Sequence, residues 1–327
     1  GIGVQCYGIY KNLNPDKVLI VEGVDKFPTD PSRYGEPSLI EFHHGGHLDQ
    51  YVVKNWLSDL DVVVAVESMY DPRFFEWARQ TNTKTIIQGN PEFINPKTTP
   101  RPDMFWWPTG WRVDELPPGR VLRVPVSLQT EFVDLPAPGE TVKFLHIGGR
   151  KALGDRNGTD AIMHGIRRLN LQANFELTIC CQDFDLPITL ARSANKINLI
   201  KNPSDMDELY RSHHVLIMPR RYGGNCLPVT EAIGHGLAIM MTNVSPNKEW
   251  PVLPLPCNQS KVLQMPAGQV RTYDVLPDDI ARTILTVTND SGLLHNLMIR
   301  SREYAEANSW DKMKDVYYNE IEYAYKH

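Results

Sequence analysis

The chain has 327 residues, 42% hydrophobic and 22% charged, which is enough apolar material for two cores in a globular protein. Its net charge of -5 excludes a generally basic coat for nucleic acid, and no run nears the roughly 18 apolar residues of a membrane helix. Cys6, Cys180, Cys181, Cys226 and Cys257 form no CxxC pair, so neither a disulfide framework nor a zinc site is expected, and a reducing cytoplasm fits.

In chain order, Gly1-Ile2-Gly3-Val4 reads as a glycine-rich turn leading into a helix over 4–13. Because the chain opens on glycine rather than methionine, a preceding segment is expected. Short β-branched and aliphatic runs then predict strands at 17–22, 38–42, 61–66, 84–88 and 121–126. A second series follows at 142–147, 175–181, 197–200, 214–218 and 237–241. Helical patterns lie between them at 48–58, 72–81, 159–169, 206–212 and 229–234. Such alternation predicts parallel sheets. The stretch 116–140, with LPPGR and DLPAPGE, reads as an exposed connection. The segment 278–325 reads as two or three helices, with Ser309 as the N-cap of the last. The expected fold class is α/β, with two doubly wound Rossmann-like domains facing a cleft and a helical C-terminal tail. The expected boundaries are 1–125, a linker at 126–140, a second domain at 141–305, and a helix at 306–327 packing back on the first domain.

Two loops carry phosphate-handling chemistry. In HIGGRKALGDRNGTD (146–160) a strand ends on two glycines and a helix begins near Thr159. Gly149 lets backbone approach a ligand, the helix start offers amides to an anion, and Arg150, Lys151 and Arg156 add positive charge. The alternative is a tight turn with solvated basic residues. In PRRYGGNCLPVTE (219–231) a Gly-Gly pair follows a strand and Pro228 stands where a helix begins. Glu231 is expected in the first turn, either as a dipole-favourable carboxylate or as the acceptor for a ribose diol.

The first half offers fewer signals. His43, His44 and His47 in FHHGGHLDQ lack the clustered carboxylates or cysteines of a metal site, leaving contact with substrate or a solvated loop. Glu67 ends the strand DVVVAVE, where catalytic residues of open sheets sit, although a turn or capping role fits equally. MFWWPTGWR (104–112) is either an aromatic core plug or a stacking platform with Arg101 and Arg112 nearby.

The segment ELYRSHHVLIMPRRYGGNCLPVTEAIGHGLAIMMTNV resembles the donor-binding segment of GT-B-fold glycosyltransferases of family 4, and its RRYGGNCLP wording resembles bacteriophage-encoded members. The likeness covers roughly 142–244, with GGR…NG at 148–158 similar to the family's GR…KG loop. It implies transfer of a sugar from a nucleotide diphosphate sugar, UDP-linked by preference, with retention and with neither metal nor other cofactor. It implies that Arg150 holds the diphosphate, with Gly149, Lys151, Arg156 and Asn157 in the same loop. It also implies that Gly223, Gly224, Asn225, Cys226 and Leu227 present backbone to the donor, that Glu231 binds the ribose, and that residues 198–203 border the base. In the family such a turn follows a first strand, which is therefore expected ahead of Gly1, and the turn at Gly1 and Gly3 would approach the donor; His43, His44 and Glu67 are the candidates for the catalytic group on the acceptor side. Two positions depart from the family: its first paired glutamate falls on Gly223, and its loop lysine on Asn157. The acceptor expected in a phage setting is a hydroxymethylated pyrimidine in DNA, with a protein or carbohydrate hydroxyl as the alternative. Nothing in the sequence speaks to oligomeric state.

Overall fold

The computed structural model describes residues 2–22, 31–35, 39–42, 47–67, 71–95, 97, 101–137, 139–149, 154–169, 174–182, 197–265 and 268–327. It divides into two compact units. The first comprises Gly1–Val124, Met265–Gly268 and Trp310–His327; the second comprises Pro125–Gln264 and Gln269–Ser309.

In the first unit α1 (Ile2–Leu13) precedes a parallel pair, β1 (Leu19–Glu22) with β2 (Leu39–Phe42). Helices α2 (Gln50–Leu57) and α3 (Phe74–Gln80) then alternate with β3 (Val62–Glu67), β4 (Lys84–Gly89), β5 (Met104–Trp107) and β6 (Arg120–Val121). These four strands form an all-parallel sheet in chain order. Asp49 caps α2 by accepting from the Tyr51 and Val52 amides. Asp71, fully buried, ties α3 to the entrance of α2 by accepting from Arg73 and the Leu48 amide. Burial alone would raise its pKa, but these bonds outweigh it and hold the carboxyl at about 2.

The run MFWW is a strand, and this decides between its two readings. Phe105, Trp106 and Trp107 are at most 3% exposed, so they build core on both faces of the sheet instead of a platform for a ligand. Phe105 and Trp107 stack at 4.8 Å on one face. Trp106 enters the other, against Leu13, Ile86 and the C-terminal helix α9 (Trp310–Lys326). There the buried Tyr317 hydroxyl accepts from Gln88 Nε2 at 2.9 Å and donates to the Arg123 carbonyl at 3.1 Å. The strand predicted at 121–126 is confined to the short β6. Val126 instead pairs with Ser309, whose hydroxyl donates to the Glu306 carbonyl.

The second unit is a six-stranded parallel sheet of β7 (Val142–Gly149), β8 (Phe175–Cys181), β9 (Ile197–Lys201), β10 (Val215–Met218), β11 (Ala238–Thr242) and β12 (Val252–Leu255). Every residue of β10 and β11 is buried, which explains their unbroken apolar runs. Helices α4 (Thr159–Ile166), α5 (Met206–Arg211) and α6 (Leu227–Gly234) follow β7, β9 and β10. The helices α7 (Pro277–Asn289) and α8 (Ser291–Ala307) close the core. A two-stranded sheet of β13 (Asn258–Met265), polar and mostly exposed, and β14 (Gly268–Asp274), which buries Val270 and Thr272, is added; these strands and β12 had no expected counterpart. The stretch 125–137 has no regular element yet is fastened to this unit. Val126 and Val133 are buried, the Gln129 and Val133 amides donate to the carbonyls of Gly234 and His235, and Arg302 donates to the Val133 carbonyl.

The strand order is β9-β8-β7-β10-β11-β12. The chain therefore winds outward from β7, returns to β10 beside it, and winds out the other way. Such a reversal opens a crevice at the carboxyl ends of its two central strands.

Two measurements test this packing. Trp106→Ala removes a fully buried indole, and denaturant unfolding should record a loss of about 3–5 kcal/mol. Burial also lowers the pKa values of His146, His213, His214 and His235 below the ordinary 6.5, to about 4 for His146 and His214. A histidine with a depressed folded pKa takes its proton preferentially in the unfolded chain. Stability should thus be complete above pH 6.5 and fall as pH drops toward 4, and His146→Gln should reduce that slope in urea titrations.

Candidate functional site

The two loops singled out by sequence follow β7 and β10, the strands on either side of the reversal. β7 ends in an irregular register between Ile147 and Gly149, with Gly149 at φ +75°. Asn157 braces this end by donating its amide to the carbonyls of Ile147 (2.9 Å) and Gly148 (3.3 Å). Asn157, standing where the family has lysine, is thus committed to the loop's own backbone. Gly158 has φ +76°, and a Cβ there would fall 2.4 Å from the Pro219 carbonyl oxygen, so the two loops meet at a point only glycine permits. The Arg221 amide donates to the Arg156 carbonyl at 2.8 Å, and Arg156 Nε to the Tyr222 carbonyl at 3.3 Å. Arg221 Nε pairs with Asp274 at 2.5 Å.

The start of α4 is not an open anion site. The Asp155 carboxylate accepts from the Thr159 amide at 2.7 Å and the Asp160 amide at 3.2 Å, taking the donors that the sequence reading offered to a phosphate. Just below, His146 is fully buried, with Nδ1 2.8 Å from the Ile217 carbonyl and Nε2 2.9 Å from the Thr159 hydroxyl. A carbonyl only accepts, so Nδ1 carries the proton and Nε2 receives the hydroxyl's. This neutral histidine ties β7, β10 and α4 together, a role that a lone His in an apolar strand does not signal.

The start of α6 is different. Its N-cap, Cys226, makes no side-chain cap bond, and Pro228 occupies the first turn. The preceding loop is shaped from beneath by Arg220, 3% exposed, which donates to the carbonyls of Tyr222 (3.1 Å) and Asn225 (2.7 Å). Gly223 has φ +126°, a backbone that a residue with a side chain rarely adopts, so the glycine at the family's glutamate position is a requirement of this loop. Gly224 and Cys226 are buried, while Asn225 and Leu227 keep partial exposure.

Glu231 corrects the sequence reading. The helix begins at Leu227, so Glu231 lies in its second turn and is not a first-turn dipole residue. Tyr210, 1% exposed on α5, donates its hydroxyl to Glu231 Oε2 at 2.7 Å. Burial raises the Glu231 pKa, and the tyrosine bond opposes that rise.

In the first unit Glu67 ends β3 with φ +66°, an uncommon conformation for a residue with a side chain. Gln5 Nε2 donates to its Oε1 at 3.4 Å, and burial raises its pKa, with the charge of Glu92 acting in the same direction. Gly3 lies inside α1, which starts at Ile2, and not in a turn ahead of it; a Cβ there would meet open space. His47 is exposed. Gly1, His43, His44, Arg150 and Lys151 lie outside the described residues. Among the described residues, no group of three or more His, Cys, Asp or Glu gathers as a metal site would, and no helix is long and apolar enough to cross a membrane.

No protein-family model and no curated protein matches the chain significantly. Solved structures do, 216 chains in all. The chain is similar to the apo form of the lipopolysaccharide outer core galactosyltransferase WaaB, at 12% identity over 98% of this chain and 96% of that one, with a TM-score of 0.59. It is similar to Anabaena HepE in complex with UDP and glucose, at 8% identity over 98% and 96% of the two chains, with a TM-score of 0.70. It is also similar to the pneumococcal O-GlcNAc transferase GtfA in complex with UDP and GlcNAc, at 13% identity, 84% and 60% coverage, and a TM-score of 0.59. Identities of 8–13% speak to architecture, and with the observed strand order they establish it: the chain has the GT-B fold, two α/β units of parallel sheet with a helical C-terminal tail.

Proposed function

We propose that this protein is a glycosyltransferase that moves a sugar from a nucleotide diphosphate sugar, UDP-linked by preference, to an acceptor hydroxyl. One observation carries the reading. Two glycine-bearing loops are locked together at the sheet's reversal, and a partly exposed, tyrosine-held carboxylate stands on the helix that follows the second. The GT-B fold shared with HepE, solved with UDP and glucose, supports it.

In this reading Glu231 accepts the ribose hydroxyls, and the Gly223–Leu227 backbone faces the donor. Arg150 and Lys151, together with Arg156, neutralise the diphosphate as the anomeric C–O bond breaks. The new bond forms between the anomeric carbon and the acceptor oxygen, whose proton is lost. We assign the family-4 course to this transfer, retaining and metal-free. Glu67, with its burial-raised pKa, or His43 or His44, serves the acceptor side. The acceptor we favour is a hydroxymethylated pyrimidine in phage DNA, ahead of a protein or carbohydrate hydroxyl. A second reading, a nucleotide-sugar-binding protein without turnover, draws on Gly223, which provides no carboxylate for the donor sugar.

Mass spectrometry of hydroxymethylated DNA, peptide and glycan acceptors incubated with a panel of nucleotide sugars decides between them. A mass gain of one sugar, persisting with EDTA, is expected; binding without any product would leave only the silent reading. Glu231→Ala should weaken UDP by about tenfold or more in calorimetry while the fold is kept. Arg150→Ala should weaken UDP more than uridine, and equal losses would remove Arg150 from the diphosphate. Because burial raises the Glu231 pKa and the ribose needs an ionised acceptor, UDP affinity should be constant at high pH. On acidification it should fall above the ordinary carboxyl range, and Glu231→Gln should abolish that dependence.

A further inference from the structure

We infer that Tyr210 is a positioning residue that orients the Glu231 carboxylate for a ribose diol, so that preference for ribo- over deoxyribonucleotides depends on one buried phenol. The inference rests on the assignment of Glu231 to the ribose.

Tyr210 is 1% exposed within the second unit's core, where a phenylalanine would satisfy the packing. A buried phenol needs a partner for its hydroxyl. This one donates at 2.7 Å to Oε2 of Glu231, a residue that keeps partial exposure beside the sheet's reversal. The ring is fixed in turn. The buried His235 ring lies 5.2 Å from it, and His235 Nδ1 donates to the Glu231 main-chain carbonyl at 2.9 Å. Tyrosine, histidine and glutamate therefore brace one another across α5 and α6.

A diol needs that bracing. The terminal torsion of a glutamate is broad and two-fold, so an unheld carboxylate samples many planes. A cis-diol presents two O–H donors at fixed separation, and both are satisfied only when the carboxylate plane matches them. A donor holding Oε2 fixes that plane and leaves Oε1 and the second lone pair of Oε2 to the sugar. A deoxyribose, with one donor fewer, has less to gain.

The test is calorimetric titration of UDP, 2′-deoxy-UDP and 3′-deoxy-UDP into the wild-type chain, Tyr210→Phe, Glu231→Gln and the double variant. Tyr210→Phe removes a single oxygen and keeps the ring, and thermal unfolding confirms that each variant folds. Tyr210→Phe is expected to weaken UDP by about tenfold, the size of one hydrogen bond to a charged group, while each deoxy analogue changes by about twofold or less. In the Glu231→Gln background the same substitution should have no further effect on the ribose preference. A ribose preference unchanged in Tyr210→Phe, or equal losses for all three nucleotides, would overturn the positioning role. Wild-type binding of UDP without any ribose preference would instead remove Glu231 from the ribose, and no binding of UDP would remove the donor assignment itself.

Discussion

The contact between Gly158 and Pro219 governs the geometry of the second unit's loops. A single added carbon at Gly158 would lie 2.4 Å from a carbonyl oxygen. The backbone leaving β7 and the backbone leaving β10 therefore touch at the point where the sheet's winding reverses. Everything proposed for the donor follows from that closure. Gly149 and Gly223–Leu227 can serve one ligand only because their loops are joined, and the Arg221–Arg156 main-chain bond and the buried His146 lock the joint from both sides. A crevice at a reversal is a property of strand order; a crevice with fixed walls is a property of these few contacts.

Much of the charge and polarity described around the crevice is spent on the protein itself. Arg220 is buried and gives its guanidinium to loop carbonyls, Arg221 pairs with Asp274, and Asn157 holds the end of β7. Asp155 caps α4 with its own carboxylate, so that helix start already has its anion. No side chain from its N-cap closes α6. The two helices flanking the reversal thus differ in kind, one self-capped and one not. In the proposed reading, a diphosphate would repel Asp155 at the first and meet a helix start without a side-chain cap at the second.

Much of this was legible from residue order. Unbroken aliphatic runs gave the parallel strands because both faces of such strands are buried, and the Gly-Gly pairs marked the loops that leave β7 and β10. The failures have physical causes. MFWW carries no aliphatic run and sits among prolines, so its strand went unpredicted although an aromatic core was one of its two readings. β12 contains Pro254, which an edge strand tolerates. β13 is polar and mostly exposed, and β14, although it buries Val270 and Thr272, carries no apolar run to betray it. The roles of His146, Asp155, Arg220 and Tyr210 depend on partners 2 to 71 positions away, and residue type alone does not announce such pairings. Glu231 was expected in the first turn and lies in the second, because the helix starts two residues earlier than its apolar pattern.

Gly223 shows how one backbone angle shifts the burden of recognition. At φ +126° the position excludes ordinary side chains, and the carboxylate expected there by resemblance has no place to stand. The loop gains a close backbone approach and gives up a charged reader of sugar hydroxyls. In the proposed reading, recognition in this segment comes from main-chain amides, which contact any phosphate or hydroxyl of suitable reach, and from Glu231, whose tyrosine-held carboxylate suits a diol. Main-chain donors discriminate weakly among sugars, whereas a fixed carboxylate discriminates sharply between one hydroxyl and two. In that reading the segment is strict about the nucleoside and permissive about the sugar.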